Sequence, residues 1–271
     1  MTKRVLFALL LTLSTLAAAQ TIDLNNANNG ACNAPCQSIT FYYTQPVVGE
    51  LFLVEAGWAG NGITATISDG MNRFHTITGP TAAGTNVNQQ IWYAVNTGSP
   101  YGITITLNAP TPAGWFDGMF FEVIGLMGVN PANPIDLGSV ASTSGTGQKM
   151  SLTSGQVGSA GEMVFGFFLQ SAAGSPYTAA PGWTEVTGGE AVTAVVEQVA
   201  TSVSARKPTV ASSAPNPVSW AGAAFAVNPG KGGAFLGEGH NCESTGSCSA
   251  RVAATGENNS SSWIGADFHS F

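Results

Sequence analysis

The chain has 271 residues, of which 44% are hydrophobic and 8% are charged, and its formal net charge is −7. This hydrophobic content can build a core and excludes wholesale disorder, whereas a soluble domain usually has about 25% charged residues. The basic residues are scattered and form no patch that could neutralise phosphates, so we expect no binding to nucleic acids. Uncharged polar residues must therefore cover the surface, which is typical of an extracellular coat or matrix protein.

The first 19 residues have the pattern of a secretory signal peptide. Lys3 and Arg4 precede an apolar block over residues 5–16, and Ala17–Ala19 supply the small residues of a cleavage site. No apolar run of membrane-spanning length follows this leader. We therefore expect a secreted, extracellular protein with no membrane span once the signal peptide (residues 1–19) has been removed.

After this leader we predict a polar lead over 20–36, a β-sandwich domain over 37–228 and a Gly- and Ser-rich appendage over 229–271. Short alternating segments recur through the middle region and are separated by turn signals such as Asp69-Gly70 and Pro181-Gly182. The predicted strands cover 38–43, 50–58, 64–68, 74–77, 88–95, 102–107, 119–126, 149–152, 162–169, 192–199 and 218–227. This pattern indicates an all-β, antiparallel, jelly-roll-like β-sandwich, forming a single domain with a short hairpin-like C-terminal appendage.

Four cysteines lie near the two ends of the mature chain, as Cys32 with Cys36 and Cys242 with Cys248. An even number of cysteines in an exported protein favours disulfides. We expect local pairing within each couple, and bonds between the two ends are the alternative. A metal site is a further alternative, although neither spacing matches the CxxC pairs of zinc ribbons.

The appendage repeats a pattern from the last predicted strand. Residues 204–206 and 249–251 both read Ser-Ala-Arg, and residues 219–225 and 262–268 share the order S-W-x-G-A-x-F. We interpret the second copy as an extra hairpin that could add to a sheet edge of this molecule or of a neighbour. Self-association through the appendage is therefore one of the roles to be tested.

Residues 47–228 resemble a widespread group of bacterial extracellular β-sandwich modules. Residues 49–58 (GELFLVEAGW) are similar to that group's GDLLVVAVxW strand, and residues 67–74 (ISDGMNRF) are similar to its VTDSxGNxY turn. Further similar elements follow in the same order: Gly79–Thr81, Gln90–Asn96, Phe121–Leu126, Pro134–Asp136 and Met163–Phe167. The resemblance implies a jelly-roll-like or immunoglobulin-like sandwich and no single activity, and the cysteine-containing ends depart from the group's pattern.

Two carboxylates interrupt predicted strands that are otherwise apolar. Glu55 and Glu122 would be the catalytic pair of a glycosidase or lyase, because such enzymes use two carboxyl groups across a cleft. A carboxyl on a concave sheet face could have the raised pKa that a general acid requires. We favour a structural role, in which each side chain points to solvent at a strand edge or accepts hydrogen bonds from loop amides. No serine elbow and no nucleotide-binding loop supports another enzyme class.

Acidic residues at strand-to-loop junctions raise the question of calcium. Asp69 and Asn72 would be its ligands, and Asp117 and Asp136 lie at similar junctions. Turn formation is the competing explanation and the one we favour, because Asp and Asn side chains form hydrogen bonds with their own backbone. We therefore expect no metal and no cofactor.

Aromatic residues in loops favour a binding function. Exposed Trp and Tyr rings can stack on sugars beside polar side chains, and loops commonly carry binding residues. On this basis the predicted ligand-binding residues are Trp115, Asp117, Tyr177 and Trp183. The tryptophans inside predicted strands are expected in the core instead: Trp58, Trp92 and Trp220.

Together these features favour a secreted, non-catalytic surface or matrix module that binds a polysaccharide or a cell-surface protein, as in adhesion. A polysaccharide-active enzyme and a self-assembling structural subunit are the alternatives.

Overall fold

The computed structural model describes residues 21–43, 46–84, 87–112, 118–172, 175–187 and 193–230. Several features predicted from the sequence lie outside these residues: the signal peptide, Trp115, Asp117, the couple Cys242 and Cys248, and the C-terminal copy of the repeated pattern. Among the described residues, no helix has the length and apolar character needed to cross a membrane.

The regular elements of the described residues are sixteen β-strands, which confirms the predicted all-β class. In chain order they are β1 (Thr21–Cys32), β2 (Ser38–Tyr42), β3 (Leu51–Trp58), β4 (Ala65–Ser68), β5 (His75–Ala83), β6 (Val87–Val95), β7 (Gly102–Leu107), β8 (Met119–Met127), β9 (Ile135–Gly147), β10 (Lys149–Ser151), β11 (Met163–Gln170), β12 (Tyr177–Ala179), β13 (Thr184–Thr187), β14 (Thr193–Val199), β15 (Thr209–Ser212) and β16 (Val218–Val227).

The strands form two halves with the same topology. In the N-terminal half, inner sheet 1 has the order β1-β8-β3-β6-β5 and outer sheet 1 has the order β2-β7-β4. In the C-terminal half, inner sheet 2 has the order β9-β16-β11-β14-β13 and outer sheet 2 has the order β10-β15-β12. The pairings are antiparallel in all four sheets. Adding eight to each strand number of the N-terminal half gives the strand orders of the C-terminal half. A jelly-roll-like unit of two sheets therefore occurs twice in one compact part of the chain.

Short sequence matches mark the duplication. The first strand of each half contains Ile-Asp-Leu, at residues 22–24 and 135–137. The third strand of each half is preceded by Gly-Glu, at residues 49–50 and 161–162, and both glycines have a positive φ, of 89° and 92°. Because a residue with a side chain rarely adopts this conformation, the same turn has the same residue in both halves.

The hydrogen bonds around these turns are also repeated. The backbone N–H of Asn96 donates to the carbonyl of Glu50 at 2.7 Å, and the N–H of Ala200 donates to the carbonyl of Glu162 at 2.8 Å. In each case the strand after the Gly-Glu turn is thereby fixed to the end of the sixth strand of its half. The two halves therefore share individual residue positions and hydrogen bonds as well as strand order.

The four sheets are stacked as four layers, with the two inner sheets facing each other. Leu51 and Leu53 of β3 belong to the central core between the inner sheets, whereas Phe52 and Val54 pack beneath outer sheet 1. Inner sheet 2 is likewise covered on its far face by outer sheet 2, through a separate cluster that includes Phe168. Strands buried on both faces read as near-continuous apolar runs, as the sequence of β3 does.

The polar lead predicted over residues 20–36 contains β1, which is part of the sandwich. This strand pairs with β8, and its Asn-rich sequence has little of the apolar alternation by which strands are recognised. The structure also shows Cys32 bonded to Cys36, with 6.0 Å between their Cα atoms, which confirms the predicted local pairing. The three strand tryptophans predicted in the core are all buried: Trp58, Trp92 and Trp220.

Candidate ligand-binding face

The two carboxylates singled out in the sequence lie side by side between the inner sheets. Glu55 of β3 and Glu122 of β8 are directly opposite each other in the antiparallel register, and both have 0% of their surface exposed. Each lies in a central part of the sheet, on the face that is directed toward the C-terminal half. The expectation that they point to solvent at a strand edge is therefore wrong.

Side chains from both halves hold this pair. Gln89 Nε2 donates a hydrogen bond to Glu55 Oε1, and Thr193 Oγ1, from inner sheet 2, donates to Glu122 Oε2 at 2.8 Å. Burial, and to a lesser extent the adjacent Glu122, raises the pKa of Glu55 well above its usual value. Burial thus favours the protonated, neutral form of Glu55. A polysaccharide cannot reach either carboxyl in this arrangement, because neither has exposed surface.

The residues considered for calcium form turns. Asp69 Oδ1 accepts hydrogen bonds from the backbone N–H groups of Met71 and Asn72, and its Oδ2 accepts one from Asn72 Nδ2. Asp136 accepts from the N–H groups of Gly138 and Gly158. Across the part of the chain that the structure describes, no group of three or more His, Cys, Asp or Glu residues is placed to hold a metal ion.

The two chosen aromatic residues that the structure describes, Tyr177 and Trp183, do not form an exposed platform. Tyr177 has only 6% of its surface exposed and belongs to the core between inner sheet 2 and outer sheet 2. Trp183 is half-buried and packs against two core clusters of the same half. Trp115 and Asp117 lie outside the described residues.

A different pair of aromatic residues is exposed at one end of outer sheet 1. Tyr42, the last residue of β2, has 57% of its surface exposed, and Tyr101, just before β7, has 83% exposed. Their rings contact each other edge to face, with 5.0 Å between the centroids. We call this pair the tyrosine platform.

The platform is supported by close backbone contact and by bonded loops. Gly102 lies opposite Tyr42, and a Cβ at this position would be 2.3 Å from the carbonyl oxygen of Phe41, so a glycine is required there. The neighbouring loops are tied together by Asn96, whose Nδ2 donates to the carbonyl of Val47 at 2.9 Å and whose Oδ1 accepts from Asn72 Nδ2 at 3.1 Å. At the platform itself the backbone N–H of Tyr43 donates to the carbonyl of Tyr101 at 3.2 Å, which holds the two chain segments together.

Three aliphatic side chains are exposed on these same loops. Among the described residues, seven large hydrophobic side chains are exposed, and five of them lie at this end of the N-terminal half: Tyr42, Val47, Val48, Met71 and Tyr101. Such a concentration differs from the scattered exposed hydrophobic residues of an ordinary surface. This end is therefore the candidate binding surface of the described residues.

The outward side of outer sheet 1 is lined with hydroxyl groups. Two cross-strand rows are formed, and their members define what we call the hydroxyl face: Ser38, Thr106 and Thr66 in one row, and Thr40, Thr104 and Ser68 in the other. The hydroxyls of Thr40 and Thr104 are hydrogen-bonded at 2.9 Å, and Thr66 Oγ1 donates to the carbonyl of Thr106 at 3.1 Å. All six residues are uncharged. After Thr40, the next residue of β2 on this side of the sheet is Tyr42 of the platform.

The equivalent sheet of the C-terminal half has a different surface. A cross-strand row of outer sheet 2 consists of Lys149, Ala211 and Thr178, all exposed. The loop that corresponds to Val47 and Val48 has Ser159 and Ala160. Because the two halves share one topology, the hydroxyl face and the aliphatic loops of the N-terminal half are not requirements of the fold.

Comparison with known proteins gives no assignment: no protein-family model matches the chain, and neither curated proteins nor solved structures give a match. The resemblance to bacterial extracellular modules therefore stays an expectation.

The platform residues Tyr42 and Tyr101 were not among the binding residues predicted from the sequence. Strict alternation in residues 38–43 places Ser38, Thr40 and Tyr42 on one face and was the signal available for Tyr42.

Proposed function

We propose that this protein is a secreted, non-catalytic module that binds glycans through the tyrosine platform. The observation that carries the proposal is the exposed Tyr42–Tyr101 ring pair at one end of outer sheet 1. Exposed aromatic rings offer apolar faces on which sugar rings can stack, and tyrosine adds a hydroxyl that can form a hydrogen bond. Secretion rests on the predicted signal peptide, and surface binding or adhesion is the biological role that fits both features.

The platform is tested by replacing Tyr101 with Ala and screening the mature protein on a glycan array. Loss of the exposed ring should reduce affinity at least tenfold, because the stacking surface is removed while the buried core is untouched. Leu137→Ala is the matched control, since Leu137 is 71% exposed on β9 of the other half. Glycan binding that is equally strong in wild type and Tyr101→Ala would contradict the platform as the site.

A second candidate function is contact with a protein, including a second copy of this chain. The aliphatic side chains of Val47, Val48 and Met71 favour it, because they are exposed beside the platform and offer nothing to a sugar hydroxyl. If these residues form a self-association surface, Val48→Asp should convert an oligomer to a monomer, measured by light scattering after size-exclusion chromatography. A wild-type protein that is already monomeric at high concentration would contradict self-association through this surface.

A further inference from the structure

We infer that the hydroxyl face continues the tyrosine platform into an elongated site for a neutral polysaccharide chain. This inference rests on the proposed function and specifies its ligand: an extended, uncharged glycan rather than a single terminal sugar or an acidic one. It is carried by the geometry of outer sheet 1, where the aromatic end and the hydroxyl rows lie on one continuous surface.

The first step concerns the length of the surface. Ser38, Thr40 and Tyr42 alternate along β2 on the outward side, so neighbouring rows are two residues apart. With a rise of about 3.3 Å per residue, the rows are roughly 7 Å apart and the surface from Ser38 to Tyr42 is about 13 Å long. Across the strands, neighbouring side chains are about 5 Å apart. A chain of several sugar units, rather than one unit, is needed to cover this surface.

The second step concerns the chemistry of the hydroxyl groups. A Ser or Thr hydroxyl both donates and accepts hydrogen bonds, as a sugar hydroxyl does. The contact between Thr40 and Thr104 uses one of their two donors and leaves the other for a ligand. Ser38 and Thr66 donate to the carbonyls of Ile105 and Thr106, so these two hydroxyls offer a ligand their lone pairs. The rows are therefore able to bond a polyol without any rearrangement of the sheet.

The third step concerns charge. The six residues of the hydroxyl face are all Ser or Thr, in a chain whose formal net charge is −7. An acidic glycan would meet no cation on this face and would be repelled by the protein as a whole. A neutral glycan is subject to neither penalty. On outer sheet 2 one outward row pairs Lys149 with Ala211 and the next pairs Ser151 with Thr209, so hydroxyls there are not uniform. The described residues of that half show no exposed aromatic pair beside these rows.

The test compares a disaccharide with a hexasaccharide of the same neutral glucan or xylan, by calorimetry. In the wild type the hexasaccharide should bind at least tenfold more tightly than the disaccharide. The double variant Thr104→Val and Thr106→Val, which keeps the branched shape and removes two hydroxyls, should abolish this advantage, measured as the ratio of the two affinities. Thr178→Val is the control, because Thr178 is exposed on the equivalent sheet of the other half. Unchanged unfolding temperatures would show that both proteins are folded.

The possible outcomes distinguish failure of the elongated site from failure of glycan binding by the tyrosine platform. Equal affinity for both lengths in the wild type would overturn the elongated site and leave glycan binding by the platform intact. A tenfold preference for the hexasaccharide that survives in the double variant would also overturn it. Selective binding of an acidic oligosaccharide would overturn the neutral ligand class. Absence of binding to any glycan on the array would instead reject the proposed function itself.

Discussion

Replacing Glu55 with Gln is expected to raise the free energy of unfolding at pH 8 and to leave it almost unchanged at pH 4. The carboxyl of Glu55 is fully buried beside Glu122, and both effects raise its pKa well above the usual value. In the unfolded chain the same group titrates near its ordinary pKa of about 4.3. Gln has nearly the same shape as the protonated acid and cannot lose a proton.

The direction of the pH dependence follows from proton binding. Above a pH of about 4.3 the unfolded chain releases the proton of Glu55, whereas the folded protein retains it. Stability therefore falls as the pH rises, by about 1.4 kcal/mol per pH unit for one such group, until the pKa of the folded state is reached. The wild type should show this decrease from about pH 5 upward, and Glu55→Gln should show less of it.

The measurement is urea unfolding at several pH values, with Glu197→Gln as a comparison. Burial raises the pKa of Glu197 to about 7, so its contribution ends near that pH. Glu197→Gln should therefore flatten the pH dependence only below about pH 7, and Glu55→Gln should flatten it from about pH 5 upward. Identical slopes for wild type and Glu55→Gln would show that the buried carboxyl does not retain its proton.

Replacing Phe167 with Ala is expected to destabilise both halves together. Phe167 of β11 is fully buried in the central core and stacks on Phe225, with 5.5 Å between the ring centroids. Truncation of a buried Phe costs about 3–5 kcal/mol, because apolar contacts are lost and a cavity remains. For a protein of this size the unfolding temperature should fall by roughly 6–20 °C.

A single transition is expected in the same experiment, because the central core contains residues from both halves, including Leu53 and Phe165. Calorimetry of wild type, Phe167→Ala and the exposed control Leu137→Ala would measure it. The control should remain within about 0.5 kcal/mol of the wild type. Two separate transitions, of which only one shifts in Phe167→Ala, would mean that the halves unfold independently.

Much of the strand pattern is predictable from the sequence, and the failures have a common cause. The strands over 102–107 and 218–227 were predicted with the bounds that the structure has, because they alternate or are continuously apolar. β1 and β9 were missed because they are rich in Asn, Ser, Thr and Gly, and they are strands because their backbones pair with β8 and β16. The hydropathy of a segment does not reveal a strand that is stabilised mainly by backbone hydrogen bonds to the neighbouring strand.

The duplication is similarly hidden from the sequence. The matching residues are few, and the separation between equivalent positions changes along the chain as loops differ in length. The candidate functional residues likewise differ in whether the sequence predicts them. Tyr42 follows from alternation, whereas its contact with Tyr101 and the apposition of Glu55 and Glu122 depend on which strands pair. Sequence spacing gives no information on such long-range pairings.

The back-to-back stacking of the two halves has an evolutionary consequence. The inner sheets constrain each other, because a substitution on either must fit the side chains of both. The outer sheets face opposite sides and are under no such mutual constraint, so after duplication each could change its surface independently. The contrast between the uncharged hydroxyl rows on one side and the row containing Lys149 on the other is what such divergence produces. One copy could thus acquire a specificity while the other preserved the scaffold that both need in order to fold.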